Sequence, residues 1–348
     1  GSPGSDDADN GPGSRLGHDF SMRAVVIESY GGPEVLAIRE VPAPDPGPGE
    51  VLVDVVASAL NRADLLQRQG LYPGPPMEHE VPGLEFAGRV VAVGGAVDRW
   101  SVGDEVMSIT SGAAHAEQAV VHADQAMGVP AGMPLATAGA LPEVFITAWD
   151  ALVLQGGLQP GGTALVHAGA SGVGTAAIQL CRSMGAEVVV TASGAKCAAC
   201  TDLGASLAVD YTSDDWLAAV DDHTGGRGVD VVLDVVGGDY LDRNVDALAV
   251  GGTIVQVGAM GGGRATFGLG KLLPKRATIV GTVLRARSLD EKVALSRAFA
   301  DEIVPRFEDG TLSVVVDRRF DLAEIAAAHL HMEGNANVGK IALDVRAG

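Results

Sequence analysis

The hydrophobic and polar positions of this chain follow two different patterns, and the change falls near residue 135. Before it, short apolar runs are broken by turns rich in Gly and Pro, which is typical of β-strands. Six strands are predicted there: Arg23–Ile27, Val35–Glu40, Val51–Ser58, Phe86–Val93, Glu105–Ile109 and Gln118–Val121. Many short strands at close spacing predict a compact, β-barrel-like domain.

From Leu135 onward, apolar runs of strand length alternate with helical patterns, which indicates a doubly wound parallel sheet. Six strands are predicted: Thr163–His167, Glu187–Thr191, Leu207–Asp210, Val229–Val235, Thr253–Gly258 and Thr278–Val283. Beyond Arg287 the pattern predicts a helix (Leu289–Phe307), a strand (Leu312–Val316), a helix (Leu322–Met332) and a last strand (Lys340–Val345). Because these elements follow the sixth strand, we expect them to return to the first domain.

Composition narrows the classes of function. The 348 residues are 47% hydrophobic, enough for packed cores, and no run of 18 apolar residues predicts a membrane span. The net charge of −20 disfavours binding to nucleic acid or to anionic membranes. An anionic ligand would need a local basic pocket, which makes each lysine informative. The lysines are Lys196, Lys271, Lys275, Lys292 and Lys340.

The three cysteines do not form a disulfide framework. Cys197 and Cys200 have the Cys-x-x-Cys spacing of redox and metal sites, yet they fall in a predicted helix that begins near Ala195, and no second ligand pair accompanies them. We interpret them, with Cys181, as structural thiols. Unpaired thiols indicate a reducing compartment, and we expect the cytoplasm.

A glycine-rich turn follows the strand Thr163–His167. The turn is Ala168-Gly-Ala-Ser-Gly-Val-Gly174, and a helix opens at Thr175. In this strand–turn–helix order, the pyrophosphate of a dinucleotide binds to amides at the helix N-terminus. The register Gly169-x-Ser171-x-x-Gly174 puts a serine at the middle glycine position, where its hydroxyl could itself donate to phosphate. The alternative is a tight connection that binds nothing.

The end of the next strand bears on which dinucleotide binds. After Glu187–Thr191, an NAD-binding chain places an acidic residue for the ribose hydroxyls, whereas this chain has Ala192-Ser-Gly-Ala-Lys196. A carboxylate would repel a 2′-phosphate, and Ser193 and Lys196 could bind one through charge-assisted hydrogen bonds. We therefore predict NADPH over NADH. The alternative is an ordinary solvated lysine at a helix start.

Several segments together resemble one known family. They are Gly31–Glu34 (GGPE), Ala57–Gly70 (ASALNRADLLQRQG), Pro82–Gly88 (PGLEFAG), His167–Leu180 (HAGASGVGTAAIQL) and Asn337–Ile341 (NVGKI). With them the chain resembles a zinc-independent medium-chain dehydrogenase/reductase of the quinone oxidoreductase branch, and within that branch the p53-inducible quinone oxidoreductase type. The resemblance implies an α/β fold, with a GroES-like β-rich catalytic domain, a Rossmann domain with a doubly wound parallel sheet, and the cofactor in the cleft between them.

The resemblance also sets the expected domain boundaries. Residues 1–21 would be a disordered tail that begins with an expression-tag remnant, 22–142 the GroES-like domain, 143–286 the Rossmann NADPH-binding domain, and 287–348 the return to the catalytic domain. The strand Thr278–Val283 would lie at a sheet edge and could pair with a second copy. We therefore expect a homodimer.

The same comparison predicts that no metal is bound. At the positions that match the zinc ligands of zinc-dependent relatives the chain has Asn61, Leu84 and Glu143, and one carboxylate cannot hold Zn²⁺ against water. Without a Lewis acid, the chemistry left is hydride delivery to an acceptor that is already electrophilic, and a small-molecule quinone fits. Two alternatives stay open: a reductase of alkenal or enone double bonds, and a catalytically silent NADPH-binding regulatory protein.

The candidate catalytic residues are Asn61, whose amide could hydrogen-bond the acceptor or the nicotinamide ribose, and Tyr72, whose ring could stack on a quinone. The alternatives are a buried structural amide and a packing tyrosine. Such a reaction needs no strong general acid, and His79, His115 and His122 are interpreted as surface or loop histidines. The predicted cofactor contacts are Thr147, Gly169, Ser171, Gly172, Val173, Gly174, Ser193, Lys196, Tyr211, Gly238, Gly258, Ala259, Val283, Leu284, Asn337 and Lys340.

Overall fold

A computed structural model describes residues 21–346, so the predicted tail lies, apart from Ser21, outside the described residues. The strands are β1 (Ser21–Ile27), β2 (Leu36–Pro42), β3 (Glu50–Leu60), β4 (Glu85–Val93), β5 (Glu105–Ile109), β6 (Gln118–His122), β7 (Met127–Gly128), β8 (Thr163–His167), β9 (Glu187–Ala192), β10 (Leu207–Asp210), β11 (Val229–Asp234), β12 (Leu248–Gln256), β13 (Thr278–Gly281), β14 (Val316–Asp321) and β15 (Lys340–Asp344). The helices are α1 (Arg62–Arg68), α2 (Leu135–Ala138), α3 (Pro142–Trp149), α4 (Gly172–Met184), α5 (Gly194–Asp202), α6 (Trp216–His223), α7 (Tyr240–Ala247), α8 (Leu272–Lys275), α9 (Leu289–Glu302), α10 (Pro305–Glu308) and α11 (Ile325–Glu333).

Both ends of the described chain contribute to a mostly antiparallel β-structure. Its main sheet has the strand order β14-β15-β3-β4-β5-β7, with β6 paired to the other end of β3, and β1 pairs with β2 separately. The last strand, β15, pairs antiparallel with β3, where Ile341 lies opposite Leu60. The predicted return of the C-terminal elements to the first sheet is therefore observed, and the β-rich half of the fold is confirmed.

The second sheet is parallel throughout and has the strand order β10-β9-β8-β11-β12-β13. Its first strand in the sequence, β8, is buried along its whole length because helices cover both faces of the sheet. From β8 the chain adds β9 and β10 on one side and then returns to add β11, β12 and β13 on the other, so the order of strand addition reverses between β8 and β11. In open parallel sheets, ligands bind at the carboxyl ends of the strands beside such a reversal.

Two predicted elements differ from the structure. The helix predicted over Leu289–Phe307 stops at Glu302, since Pro305 has no N–H to continue it, and α10 begins there instead. The strand predicted over Leu312–Val316 is wrong. Leu312 sits in a turn, where its N–H donates to the carbonyl of Arg306, while the polar segment Val316–Asp321 forms the edge strand by pairing with β15.

His115 lies in a loop between β5 and β6, one of the two places predicted for it, but not at the surface. The ring of His115 is fully buried, as is that of His329 on α11, and each ring has one nitrogen without a hydrogen-bond partner among the described residues. The buried Arg68 approaches His329 Nδ1 with its Nη1 at 3.4 Å and forms an ion pair with Glu333. A polar cluster therefore lies inside the β-rich half, where the apolar pattern of the strands gave no sign of it.

We expect acid to destabilise the protein through this cluster. Burial lowers the pKa of His329 to about 3 and also lowers the pKa of His115, whereas an unfolded histidine titrates near 6.5. Below about pH 6.5 the unfolded chain binds protons that the folded chain excludes. The free energy of unfolding should then fall by up to ~1.4 kcal/mol per pH unit for each histidine.

Denaturant unfolding at a series of pH values measures this slope. The variant His329→Gln should flatten it. The control His79→Gln removes an exposed loop histidine and should leave the slope unchanged. A free energy of unfolding that stays constant between about pH 7 and about pH 5 would contradict the expectation.

The cysteines lie where thiols are unreactive. All three are free, and burial raises the pKa of Cys181 to about 12 and that of Cys200 to about 11. Cys197 and Cys200 lie in α5, as the sequence predicted. Within residues 21–346, no group of three or more His, Cys, Asp or Glu side chains is placed to hold a metal ion, and no helix could cross a membrane.

Candidate cofactor cleft and active site

The glycine-rich turn connects β8 to α4 and leaves helix amides free to bind a ligand. Ser171 caps the helix, since its Oγ accepts from the Gly174 N–H at 3.0 Å, so α4 starts at Gly172 rather than at the predicted Thr175. A side chain at Gly174 would lie 2.4 Å from the carbonyl oxygens of Ala168 and Gly169. A tight turn that ends in an open helix N-terminus fits a pyrophosphate. Because Ser171 Oγ only accepts here, its hydroxyl proton is still available to phosphate.

The loop before β15 lies directly on this turn. The N–H of Gly339 donates to the carbonyl of Ala170 at 2.8 Å, and Ser171 and Gly339 form a parallel bridge. Asn337 is buried and donates from Nδ2 to the carbonyl of Gly339 at 2.8 Å, so it shapes the loop. The predicted contacts of Asn337 with a cofactor stay a prediction. The C-terminal loop thus packs directly against the glycine-rich turn at the start of α4.

At the end of β9, Lys196 donates from Nζ to the backbone carbonyl of Asn335, across the cleft, and burial lowers the pKa of the lysine. Ser193 precedes α5 and makes no capping bond with its side chain. The sequence analysis missed a carboxylate here. Asp210, from the end of β10, approaches Gly194, but it already accepts from the N–H and Oγ1 of Thr212 at 3.0 and 2.6 Å.

The other predicted cofactor contacts line the same edge of the parallel sheet. The residues that follow β10, β11, β12 and β13 are Tyr211, Gly238, Gly258, Ala259, Val283 and Leu284. Tyr211 and Val283 are exposed, whereas Leu284 is buried. Thr147 lies on α3 and is buried. The structure therefore collects residues from distant parts of the chain at the carboxyl ends of the strands, and their individual roles stay predictions.

Asn61 belongs to a buried polar network at the bottom of the cleft. Its Nδ2 donates to Glu85 Oε1 at 3.0 Å, and its Oδ1 accepts from Lys340 Nζ at 2.7 Å. Lys340 also pairs with Glu85 at 2.7 Å and donates to the carbonyl of Leu60 at 2.8 Å. With three acceptors, the Lys340 ammonium holds the network together, and the predicted direct contact of Lys340 with a cofactor stays a prediction.

Glu143 adds an acid to this network. Its N–H donates to Glu85 Oε2 at 2.9 Å at the start of α3. Burial, and then the nearby Glu85 carboxylate, raises the pKa of Glu143 to about 8, although Lys340 opposes that shift. Glu143 therefore holds a proton at neutral pH. Since Thr147 follows four residues later, the acid and this predicted cofactor contact lie on the same face of α3.

Tyr72 reaches the same region from the loop after α1. The guanidinium of Arg285 lies 4.8 Å from the centre of its ring, and Arg285 also donates to the carbonyls of Tyr72 and Ser111 at 3.2 and 2.8 Å. Burial raises the pKa of Tyr72; the charge of Arg285 opposes this shift, and the charge of Glu143 adds to it. Arg285 thus ties the loop after β13 to the β-rich half and keeps Tyr72 close to Glu143.

The residues at the positions of a catalytic zinc do not fit that metal. Leu84 is a buried hydrocarbon, Asn61 is a neutral amide committed to Glu85 and Lys340, and Glu143 is the one carboxyl group among the three. Zinc sites in proteins use thiolates, imidazoles and ionised carboxylates. No step of the chemistry is therefore assigned to a metal.

Comparison with known proteins places this arrangement in a family. The model of the alcohol dehydrogenase GroES-like domain matches residues 47–156, and the model of the zinc-binding dehydrogenase matches residues 172–300. A quinone oxidoreductase of Pseudomonas aeruginosa is 33% identical over 323 residues, which cover 92% of this chain and 99% of that protein. The chain belongs to the medium-chain dehydrogenase/reductase family, in its quinone oxidoreductase branch.

Other members of the family differ in what their names describe. The human synaptic vesicle membrane protein VAT-1 homolog is 32% identical over 349 residues, which cover 92% of this chain and 86% of that protein. The crystal structure of the JamJ enoyl reductase superposes with a TM-score of 0.84 at 26% identity, covering 94% of this chain and all of that one. The family and its nicotinamide-type fold are thus established, and the acceptor is a separate question.

The sequence analysis missed Glu85, the acid form of Glu143 and the bridging Arg285. The triplet Gly83-Leu84-Glu85 contains Glu85 directly after the leucine at the position of a zinc ligand. Nothing local in the sequence indicates the proton on Glu143, because that proton depends on burial and on Glu85. The one sequence signal for this network was a polar residue, Glu85, directly beside a position where zinc-dependent relatives have a metal ligand.

Proposed function

We propose that the protein is an NADPH-dependent quinone oxidoreductase that works without a metal. One observation carries the proposal: a nucleotide-type turn with open helix amides faces a buried network in which Asn61, Glu85 and Lys340 occupy the region of a catalytic zinc. Such a site offers hydrogen bonds and a proton but no Lewis acid. It suits an acceptor that is electrophilic before it binds.

The choice of NADPH rests on the charges at the end of β9. Lys196 supplies a positive charge there, and Ser193 has an uncommitted side chain. The carboxylate of Asp210 would favour NADH, but its Oδ1 already accepts from the N–H and the Oγ1 of Thr212. The positive charge of Lys196 together with the engaged carboxylate of Asp210 supports binding of a 2′-phosphate.

When bound, the nicotinamide supplies a hydride to the quinone ring. Reduction leaves an oxygen that needs a proton, and the Glu143 carboxyl, whose pKa is raised to about 8, holds one next to Glu85, the hydrogen-bond partner of Asn61. Asn61 is oriented by Glu85 and Lys340, so its amide keeps one direction. Tyr72 contributes a flat surface against which an aromatic acceptor can stack. These residues hold and orient the acceptor and supply its proton.

We expect turnover to fall as the pH rises above about 8, because the Glu143 carboxyl then loses its proton. The charged groups that set this value are Glu85 and Asp64, which favour the protonated form, and Lys340 and Lys292, which oppose it. The variant Glu143→Gln should lower kcat by about 10²-fold and remove the loss at high pH. A variant with the same pH profile as the wild type would show that the proton comes from elsewhere.

A steady-state assay tests the function. Loss of NADPH is followed with 1,4-benzoquinone, with an α,β-unsaturated aldehyde, and with neither. We expect rapid loss with the quinone and little with the aldehyde. The likeness to an enoyl reductase supports the second candidate, an alkenal or enone reductase, and a preference for the aldehyde would establish it. If NADPH is consumed with neither the quinone nor the aldehyde, a silent NADPH-binding regulatory protein would be favoured.

We also propose that the protein is a homodimer joined at β13. This strand is the last in its sheet, and the apolar side chains of Ile279, Val283 and Leu273 around it are exposed. An unpaired edge with exposed apolar residues favours pairing with a second copy. Light scattering should give twice the mass of the chain, and Ile279→Glu should give the mass of one. A monomeric wild type would contradict the proposal.

The cytoplasm is the compartment we propose. It rests on the three free thiols, which a reducing environment preserves.

A further inference from the structure

Two positive side chains from different halves of the fold meet at one residue. Arg62, the first residue of α1, donates from Nη2 to Asn335 Oδ1. Lys196, in the first turn of α5, donates from Nζ to the backbone carbonyl of the same asparagine. The sequence analysis singled out Lys196 alone. Arg62 belongs to the β-rich half, so the two cations face each other across the cleft.

Two carboxylates act on this pair of cations without forming a salt bridge to either: the charge of Glu333 raises the pKa of Arg62, and the charge of Asp317 raises the pKa of Lys196. Within residues 21–346, neither Arg62 nor Lys196 forms a salt bridge, and the pKa of each is lowered, first by burial. The charge of Arg62 lowers the pKa of Lys196 further. The nearest carboxylates are committed elsewhere, Glu333 to Arg68 and Asp317 to His331. Two partly desolvated cations with a neutral partner between them form a site that favours an anion with two charges.

Asn335 links the two cations only loosely. It is exposed in the loop between α11 and β15, and its backbone has φ +49°, in the left-handed region that asparagine adopts more readily than most residues other than glycine. Its two oxygens accept the hydrogen bonds that phosphate oxygens would accept more strongly. A phosphate could therefore replace Asn335 as the acceptor for Arg62 and Lys196, and the loop would lose only exposed hydrogen bonds.

We infer that Arg62 and Lys196 together bind the 2′-phosphate of the cofactor, so that the choice of NADPH over NADH is made by both halves of the fold. The inference rests on the proposed function and deepens it, because it names a second specificity-determining residue. A guanidinium can take two phosphate oxygens at once, whereas an ammonium acts as a point charge. A phosphate held this way would also tie α1 to α5 across the cleft.

Calorimetric titration of the full chain tests this, with NADPH, NADH, adenosine 2′,5′-bisphosphate and 5′-AMP as ligands. We expect Arg62→Gln to weaken NADPH and the bisphosphate about 10-fold and to leave NADH and 5′-AMP within about twofold. The double variant Arg62→Gln, Lys196→Gln should bind NADPH no better than NADH. The control Arg99→Gln removes an exposed guanidinium that lies over Trp100, and should change nothing.

The outcomes separate this inference from the proposed function. If the wild type prefers NADPH and Arg62→Gln keeps the same ratio of NADPH to NADH affinity, the inference fails and the proposed cofactor stands. An equal loss for both cofactors also overturns it, since Arg62 would then not read the phosphate. If the wild type binds NADH as tightly as NADPH, the inference and the proposed cofactor fail together. Unchanged NADH affinity in the variant shows that it is folded.

Discussion

Replacing Lys340 with alanine is expected to lower the free energy of unfolding by about 3–5 kcal/mol, the range for breaking a buried ion pair by removing one partner. The side chains of Lys340 and Glu85 are 3% and 0% exposed, so the orphaned carboxylate would find no water. Asn61 would lose the bond that fixes its Oδ1, and we expect activity to fall with stability. Urea unfolding measures the change.

Two variants show whether the buried charge is the cause. The double variant Lys340→Met, Glu85→Gln should recover much of the loss, because neither residue of the pair then carries a buried charge. The control Arg319→Ala breaks the ion pair between β14 and β15, in which Arg319 and Asp344 are partly exposed, and should cost no more than about 1 kcal/mol. A change below about 1 kcal/mol in Lys340→Ala would mean that the network does not support the fold.

Replacing Lys196 with alanine is expected to raise the KM for NADPH about 10- to 100-fold and to leave the KM for NADH nearly unchanged, because a charge-assisted hydrogen bond to phosphate contributes about 1.5–3 kcal/mol. The lower end of that range is expected, since Lys196 is partly exposed to solvent. Steady-state kinetics with each cofactor and a fixed concentration of quinone measure the two values.

Lys275→Ala is the matched control for this experiment. Lys275 is also partly exposed, lies in the same half of the fold, and donates to the backbone carbonyls of Asp246 and Leu248, but it is remote from the cleft. Its loss should leave both KM values unchanged. If Lys196→Ala raises the KM for NADPH and NADH equally, the lysine does not distinguish the two cofactors.

The parallel sheet and its phosphate turn could be predicted because their signals are local. The apolar run Thr163–His167 and the glycines that follow it specify a buried strand and a tight turn within a few residues of one another. The edge strand β14 could not be predicted, since its residues are mostly polar and only pairing with β15 makes it a strand. In β14, pairing with β15 outweighs the low strand propensity of the polar residues.

The site was predictable in part for a similar reason. Asn61 and Lys196 stand beside recognisable motifs, and each contacts the C-terminal segment, Asn61 at Lys340 and Lys196 at Asn335. The bond between Glu85 and Lys340 joins residues far apart in the chain, and no pattern of spacing reveals it. The proton on Glu143 and the meeting of Arg62 with Lys196 depend on burial and on neighbouring charges, which exist only once the chain has folded.

The most direct test of the whole account is a crystal structure of the protein grown with NADPH. It should show the pyrophosphate on the amides of Gly172 and Val173, the nicotinamide between Asn61 and Thr147, and the 2′-phosphate against Lys196. A cleft that stays empty at saturating NADPH, or a cofactor bound away from the glycine turn, would contradict the account.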